Sequence, residues 1–149
     1  MQVNLDVDIH SYNIRAYQPG AIALTIPYAP EDARPGGQKP RPLGVETIHG
    51  SFILSPRHLL RDWPPTNIDN LLAQHIEAII ELQPELVILG TGPQLTFPDQ
   101  QILADLHRQR IGVEIMDTAA ACRTYNILMT EGRFVVAGMI NPVESPVKT

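Results

Sequence analysis

Residues 87–98 read VILGTGPQLTFP, and how this stretch is read decides both the fold and where a site would lie. Val87, Ile88 and Leu89 form a short continuous apolar run, as expected of a strand buried on both faces. Gly90-Thr91-Gly92 comes next, and then a helix-like segment. Glycines between a strand and a helix can let backbone N–H groups wrap a phosphate. The full dinucleotide fingerprint is G-x-G-x-x-G, however, and its third glycine position is Leu95 here. Pro93, Phe97 and Pro98 lengthen the turn, so no helix starts on the second glycine and no helix dipole aims straight at a phosphate. The absence of Gly-Lys-Ser/Thr excludes a P-loop. The stretch reads as a strand exit whose glycines make a sharp turn and shape a shallow pocket. A small anion held by the Gly90–Gly92 backbone is the alternative.

On the C-terminal side, the sequence predicts a helix from Asp99 to Arg110 with Ile102, Leu103 and Leu106 inward, and a strand from Gly112 to Met116. Asp117 or Thr118 caps a helix running to about Thr130, and Gly132 suits its C′ position. Phe134–Ile140 forms the last strand. Strand, helix, strand, helix, strand implies a parallel sheet with right-handed crossovers.

On the N-terminal side the rhythm is two. Val3, Leu5, Val7 and Ile9 alternate with Asn4, Asp6, Asp8 and His10, which predicts a half-buried strand with Asp6 and Asp8 on its wet face. A second strand runs from about Tyr12 to Tyr17. Gln18-Pro19-Gly20 suits a type II turn into the Ile22, Leu24, Ile26 strand, which makes a hairpin. Residues 29–42, APEDARPGGQKPRP, read as an exposed, mobile loop whose Arg34, Lys39 and Arg41 can touch an acidic partner. Residues 45–54 read as one strand with Ile48, Phe52 and Leu54 on one face. Asn67 is placed to cap a helix starting at Ile68, with a stripe of Ile68, Leu71, Leu72, Ile76, Ile79 and Ile80 and with His75 at its border as a structural histidine.

A chain of 149 residues suits one domain, residues 1–149, with a β segment at about 3–54 and an α/β unit at about 67–140. Its 44% hydrophobic and 18% charged residues are globular values. Sixteen acidic against 11 basic residues give a net charge of −5, which argues against a general attraction to nucleic acid or anionic lipid. Cys122 is the single cysteine, so there is no internal disulfide and no cysteine-rich zinc site. No apolar run approaches the ~20 residues that span a bilayer, and the first residues carry no basic targeting region. The expectation is a soluble, cytoplasmic protein.

The chemistry-bearing candidates cluster at Asp117–Asn126, DTAAACRTYN. Asp117 ends a strand where a ribose-binding acid would sit, but Asp117-Thr118 is also a good helix cap. Arg123 and Asn126, three apart on a helix, can together grip a carboxylate or phosphate, or they can bond nearby carbonyls. Cys122 has no histidine near it in sequence to act as a base and reads as a small buried residue. No serine elbow is present, and the five histidines show no metal-ligand spacing. Arg57, His58, Arg61 and Trp63 form a basic-aromatic cluster that either meets an acidic partner or covers the rim of a core. The candidate ligand or partner residues are therefore Gly90, Thr91, Gly92, Asp117, Thr118, Arg123 and Asn126, with no catalytic set, no metal and no cofactor.

The strand ending in ILGTG, the strand GVEIMDT, the helix segment AACRTYN and the tail EGRFVVAGMI, in this order, resemble a known family. It comprises small α/β domains of long-unassigned function and includes the mitochondrial respiratory complex I assembly factor 3. The resemblance is strongest over residues 84–140. It implies an α/β three-layer domain whose central sheet has four mostly parallel strands in the order 2-1-3-4, with an additional antiparallel β layer from the N-terminal part. It implies a bacterial member whose partners are proteins, such as a respiratory complex subunit or assembly factor, rather than nucleic acid. A homo-oligomer is compatible with it. It carries over no catalytic residues. Two functions follow as expectations: a non-catalytic interaction or assembly factor, or a small-anion or metabolite binder, conceivably an enzyme, using Gly90–Gly92 and Arg123.

Overall fold

The computed structural model describes residues 10–27 and 44–143. Of the expected strand at 3–10, residues 3–9 lie outside the described residues, as does the loop at 29–42. Among the described residues eight strands and three helices follow in order: β1 (Asn13–Gln18), β2 (Ala21–Ile26), β3 (Gly44–His49), β4 (Phe52–Leu54), β5 (Leu59–Leu60), α1 (Ala73–Ile80), β6 (Leu86–Gly90), α2 (Ala104–Arg108), β7 (Gly112–Met116), α3 (Thr118–Thr130) and β8 (Val135–Met139). A single 3₁₀ turn, Ile68–Asn70, precedes α1.

β1, β2 and β3 form an antiparallel sheet in that order. The hairpin turns at Pro19-Gly20, where Gly20 takes φ +78°, the conformation that the third residue of a type II turn requires. In β2, Ile22, Leu24 and Ile26 are buried and their neighbours half-buried, as period two dictates. The expected single strand over 45–54 breaks at Gly50 (φ +94°) and Ser51. β3 stays in the first sheet and β4 enters the second. Asn141 fixes the break: its amide donates to the Ile48 and Gly50 carbonyls at 3.3 and 2.9 Å, and its backbone N–H donates to Ser51 Oγ at 2.9 Å.

The second sheet has five strands in the order β5-β4-β8-β6-β7. Only β6–β7 and β6–β8 are parallel; β4 runs antiparallel to both β8 and β5. The expected mostly parallel four-stranded sheet of order 2-1-3-4 is therefore not what forms. The chain enters this sheet directly from β3, with no crossover helix to impose a parallel direction, and β5 simply folds back beside β4. Strands of two and three residues carry no periodicity that a sequence could reveal.

β6 alternates across the sheet. Ile88 joins a core made with the inner residues of β2, with Phe52 and Leu54, and with Cys122 and Tyr125 of α3. Val87 and Leu89 join a second core with Trp63, Leu71, Ile76 and Ile79 from the α1 region and Leu103 and Leu106 at α2. One face of the sheet is thus covered by α3 and the small sheet, and the other by α1 and α2. α1 and α2 differ from expectation at their starts. Asn67 and Asn70 bond each other's backbone N–H groups and close one 3₁₀ turn; Leu71 then turns into the core, and α1 begins only at Ala73. The residues after Asp99 form successive i→i+3 turns, so α2 is five residues long rather than twelve. α3 starts and ends as its sequence predicts. Asp117 accepts from Ala120 N at 2.9 Å, and Gly132 (φ +78°) closes a Schellman motif through Gly132 N→Met129 O and Arg133 N→Leu128 O.

His75 Nδ1 accepts from the Leu72 N–H at 2.9 Å, and its ring packs edge-on against Trp63. Burial lowers its pKa below the ordinary value of 6.5, so the unfolded chain takes up this proton first as pH falls. The stability that depends on neutral His75 is present above about pH 6.5 and is lost as pH falls below it. His75→Asn keeps an acceptor for Leu72 but cannot titrate. Urea midpoints measured from pH 7.5 to 5 should fall more steeply for wild type than for this variant; equal slopes would show that His75 does not titrate on unfolding. A second test concerns Gly138, where a Cβ would lie 2.7 Å from Trp63 Cη2 and 2.8 Å from Ile79 Cδ1. Gly138→Ala should therefore destabilise by about 1–3 kcal/mol, as overpacking does, read from the same urea midpoints.

Candidate functional site

The C-terminal ends of β6, β7 and β8 lie side by side, which is where open α/β sheets usually place a ligand. Their exits are tied to one another. The Thr118 hydroxyl accepts from Gly92 N at 2.8 Å and donates to the Ile140 carbonyl at 2.7 Å. Thr118 N donates to Gly92 O, Ile140 N to Gly90 O, and Thr91 N to Met116 O, each at 2.9 Å. The Thr91 hydroxyl donates to Gln94 O at 2.6 Å and accepts from Thr96 N at 3.2 Å.

The glycines follow from this packing. A Cβ on Gly90 would meet Thr118 Oγ1 at 2.9 Å and Ala121 Cβ at 3.2 Å, so the strand end touches the first turn of α3. Gly92 takes φ +98°, a region that L side chains rarely adopt. The Thr91 and Gly92 N–H groups thus have partners within the fold, and neither is left to bind an anion. The loop does present two large apolar side chains beside the exposed Gln94 and Thr96: Leu95 is 53% and Phe97 69% exposed.

Arg123 and Asn126 face elsewhere. They line a cavity of about 320 Å³ between α3 and β1 that includes Arg15, Tyr17 and Cys122 and none of the loop residues 90–98. Asn126 pairs with the β1 backbone as a strand would: its Oδ1 accepts from Ile14 N at 2.9 Å and its Nδ2 donates to Ile14 O at 2.7 Å. Tyr125 Oη donates to Tyr12 O at 2.8 Å. The structure therefore separates the seven sequence candidates. Gly90, Thr91, Gly92 and Thr118 meet at the strand exits, Asp117 caps α3, Asn126 clamps β1, and Arg123 opens onto the α3–β1 groove. Sequence reading missed Arg15 and Tyr17, which reach that groove from a strand 100 residues away and carry no local signal.

Cys122 is 4% exposed, and burial pushes its thiol up to about 12, against a smaller opposing pull from Arg123. It is therefore a poor nucleophile at neutral pH. Burial, with Cys122 and Asp117 nearby, also raises the Tyr17 phenol. The basic-aromatic cluster divides. Trp63 is buried and donates to His75 O, so it belongs to the core, while Arg61 makes two 2.6 Å hydrogen bonds to Glu46. Among the described residues no group of three His, Cys, Asp or Glu could hold a metal ion, and no helix is long and apolar enough to cross a membrane.

Residues 39–140 match a family described as a protein of unknown function, DUF498/DUF598. The chain belongs to this family. Among its relatives, the NADH dehydrogenase [ubiquinone] 1 alpha subcomplex assembly factor 3 of Rattus norvegicus is 32% identical over 102 residues, covering 64% of this chain and 55% of the rat protein. This DUF498/DUF598 chain thus spans about half the length of the assembly factors it matches. A Francisella tularensis protein named 13 kDa major membrane protein is 30% identical over 94 residues, covering 62% of this chain and 76% of that one. A Xanthomonas campestris protein solved by NMR superposes with a TM-score of 0.71 at 30% identity, covering 99% of this chain and 98% of its own. The family resemblance read from ILGTG, GVEIMDT and AACRTYN is thereby confirmed.

Two outcomes follow from this geometry. Thr118→Val leaves the Gly92 N–H and the Ile140 carbonyl unpaired and should cost about 2 kcal/mol or more, whereas Thr118→Ser should stay close to wild type in urea unfolding. Native Cys122 should resist iodoacetamide at pH 7.5 and react once the chain is unfolded in urea; rapid native alkylation would contradict its burial.

Proposed function

We propose that this domain, taken over residues 1–149, is a non-catalytic interaction module of the assembly-factor kind, acting in the cytoplasm on a respiratory complex subunit or another assembly factor. One observation carries this reading. Where an α/β enzyme would present free backbone N–H groups, the loop after β6 spends them internally and exposes Leu95 and Phe97. A rigid turn carrying two protruding apolar side chains suits a protein contact, because little conformational entropy is lost when it docks. The kinship with the mitochondrial assembly factors supports the class of function, and the buried Cys122 thiol, pushed up to about 12, supports a role without thiol chemistry.

The test compares tagged wild type with a Leu95→Asp/Phe97→Asp double variant, both purified from the native host and analysed by mass spectrometry for proteins and small molecules. Both positions are exposed, so the variant should keep the wild-type urea midpoint. A respiratory complex subunit or assembly factor retained by wild type and lost by the variant is the expected result. Identical protein partners for both, or a small molecule carried with no protein partner, would overturn the reading.

A further inference from the structure

The groove between α3 and β1 is built in a way that the interaction reading does not use. Ile14 of β1 pairs with Leu24, but Ala16 pairs with Ala23, so Arg15 is the extra residue of a β-bulge. Bulges re-aim side chains. This one sits directly beside Ile14, whose N–H and carbonyl are both held by Asn126. Asn126 thus fixes the bulge against α3, and Arg123 lies one turn earlier on the same helix. Both arginines line the same open cavity of about 320 Å³, with Tyr17 beside them.

Neither arginine is tied to a carboxylate among the described residues. Arg61, Arg108 and Arg133 have Glu46, Asp105 and Glu85 as partners, whereas Arg15 and Arg123 have no ion pair or hydrogen bond among the described residues. Arg57 and Arg110 also lack an ion pair, but neither lines this groove. Asp117 is the nearby acid on α3, and its Oδ1 is engaged in capping at Ala120 N. Two exposed cations therefore line one open cavity in a chain of net charge −5, a local positive site that an anion can occupy. Guanidinium groups offer planar forks that match phosphate oxygens, and two of them match a dianion better than a single carboxylate. A cavity of this size lies at the lower end of the small-ligand range.

We propose that the Arg15–Arg123 groove binds a phosphate group, either of a soluble phosphate compound or of a lipid headgroup. The site is separate from Leu95 and Phe97, so its failure would leave the interaction reading intact.

The experiment uses the full chain. Inorganic phosphate is titrated at ionic strength held constant with chloride, and amide NMR shifts are followed. Saturable shifts at residues 15–17 and 119–126 are expected, with affinity at least tenfold weaker in Arg15→Gln and in Arg123→Gln. Both arginines are exposed, so unchanged urea midpoints should show that these variants fold. Co-sedimentation with phosphatidylglycerol vesicles, against phosphatidylcholine alone, separates the sources. Vesicle binding abolished by Arg123→Gln assigns a headgroup; saturation by phosphate without vesicle binding assigns a soluble ligand. Non-saturating shifts, affinity unchanged in both variants, or neither phosphate nor vesicle binding would overturn the proposal.

Discussion

The Thr118 hydroxyl joins three chain segments that the topology merely brings near one another. It takes the Gly92 N–H from the exit of β6, gives its own proton to the Ile140 carbonyl at the exit of β8, and sits on the first residue of α3, immediately after β7. All the groups involved are buried, so each would cost about 1–3 kcal/mol if left unpaired. The remaining exit bonds, Ile140 N to Gly90 O and Thr91 N to Met116 O, share this geometry and would loosen with it. The glycines are consequences of the same junction. Gly90 is needed because α3 starts against it, and Gly92 because its N–H must turn toward Thr118.

That junction also decides what the loop can do. A phosphate cradle needs N–H groups that point outward and have no partner until the ligand arrives. Here the donors of Thr91 and Gly92 are consumed in folding, and the Thr91 hydroxyl ties down Gln94 and Thr96 as well. A loop so constrained is a platform, and its exposed side chains define its chemistry. Leu95 and Phe97 are apolar, and the proposed protein contact rests on them.

What was legible in the sequence is what local chemistry dictates. The β2 alternation, the Pro19-Gly20 turn, β7, the Asp117 cap and the Gly132 stop are each specified within a few residues and stand where the sequence places them. The break at Gly50 was not legible, because Ile48, Phe52 and Leu54 do share one core and keep the alternation intact across it. Only Asn141, 90 residues on, shows that two sheets part there. The 68–80 helix stripe failed for a related reason. Leu71 and Leu72 fit a helical face, yet the reciprocal Asn67–Asn70 bonds end the first turn, and Leu71 goes inward while Leu72 stays out. The sheet order was beyond reach, since β4 and β5 are too short to declare a direction.

The candidate residues divide on the same principle. Arg123 and Asn126 were paired by helical spacing, and they do share a face, but that face is completed by a strand from the other end of the chain. Asn126 is spent on the Ile14 backbone, which converts it from a ligand candidate into the reason Arg15 is where it is. A bulge is a mismatch between two strands, so no single-strand pattern can announce it. Tyr17 lines both this groove and a smaller apolar cavity beside Pro93 and Ile140. The cationic groove and the strand exit are held by different bonds: Asn126 to β1 for the first, Thr118 to the Gly92 N–H beyond β6 and the Ile140 carbonyl beyond β8 for the second. Those bonds share no atom, although both start from α3, so the two proposed surfaces can be altered by different substitutions.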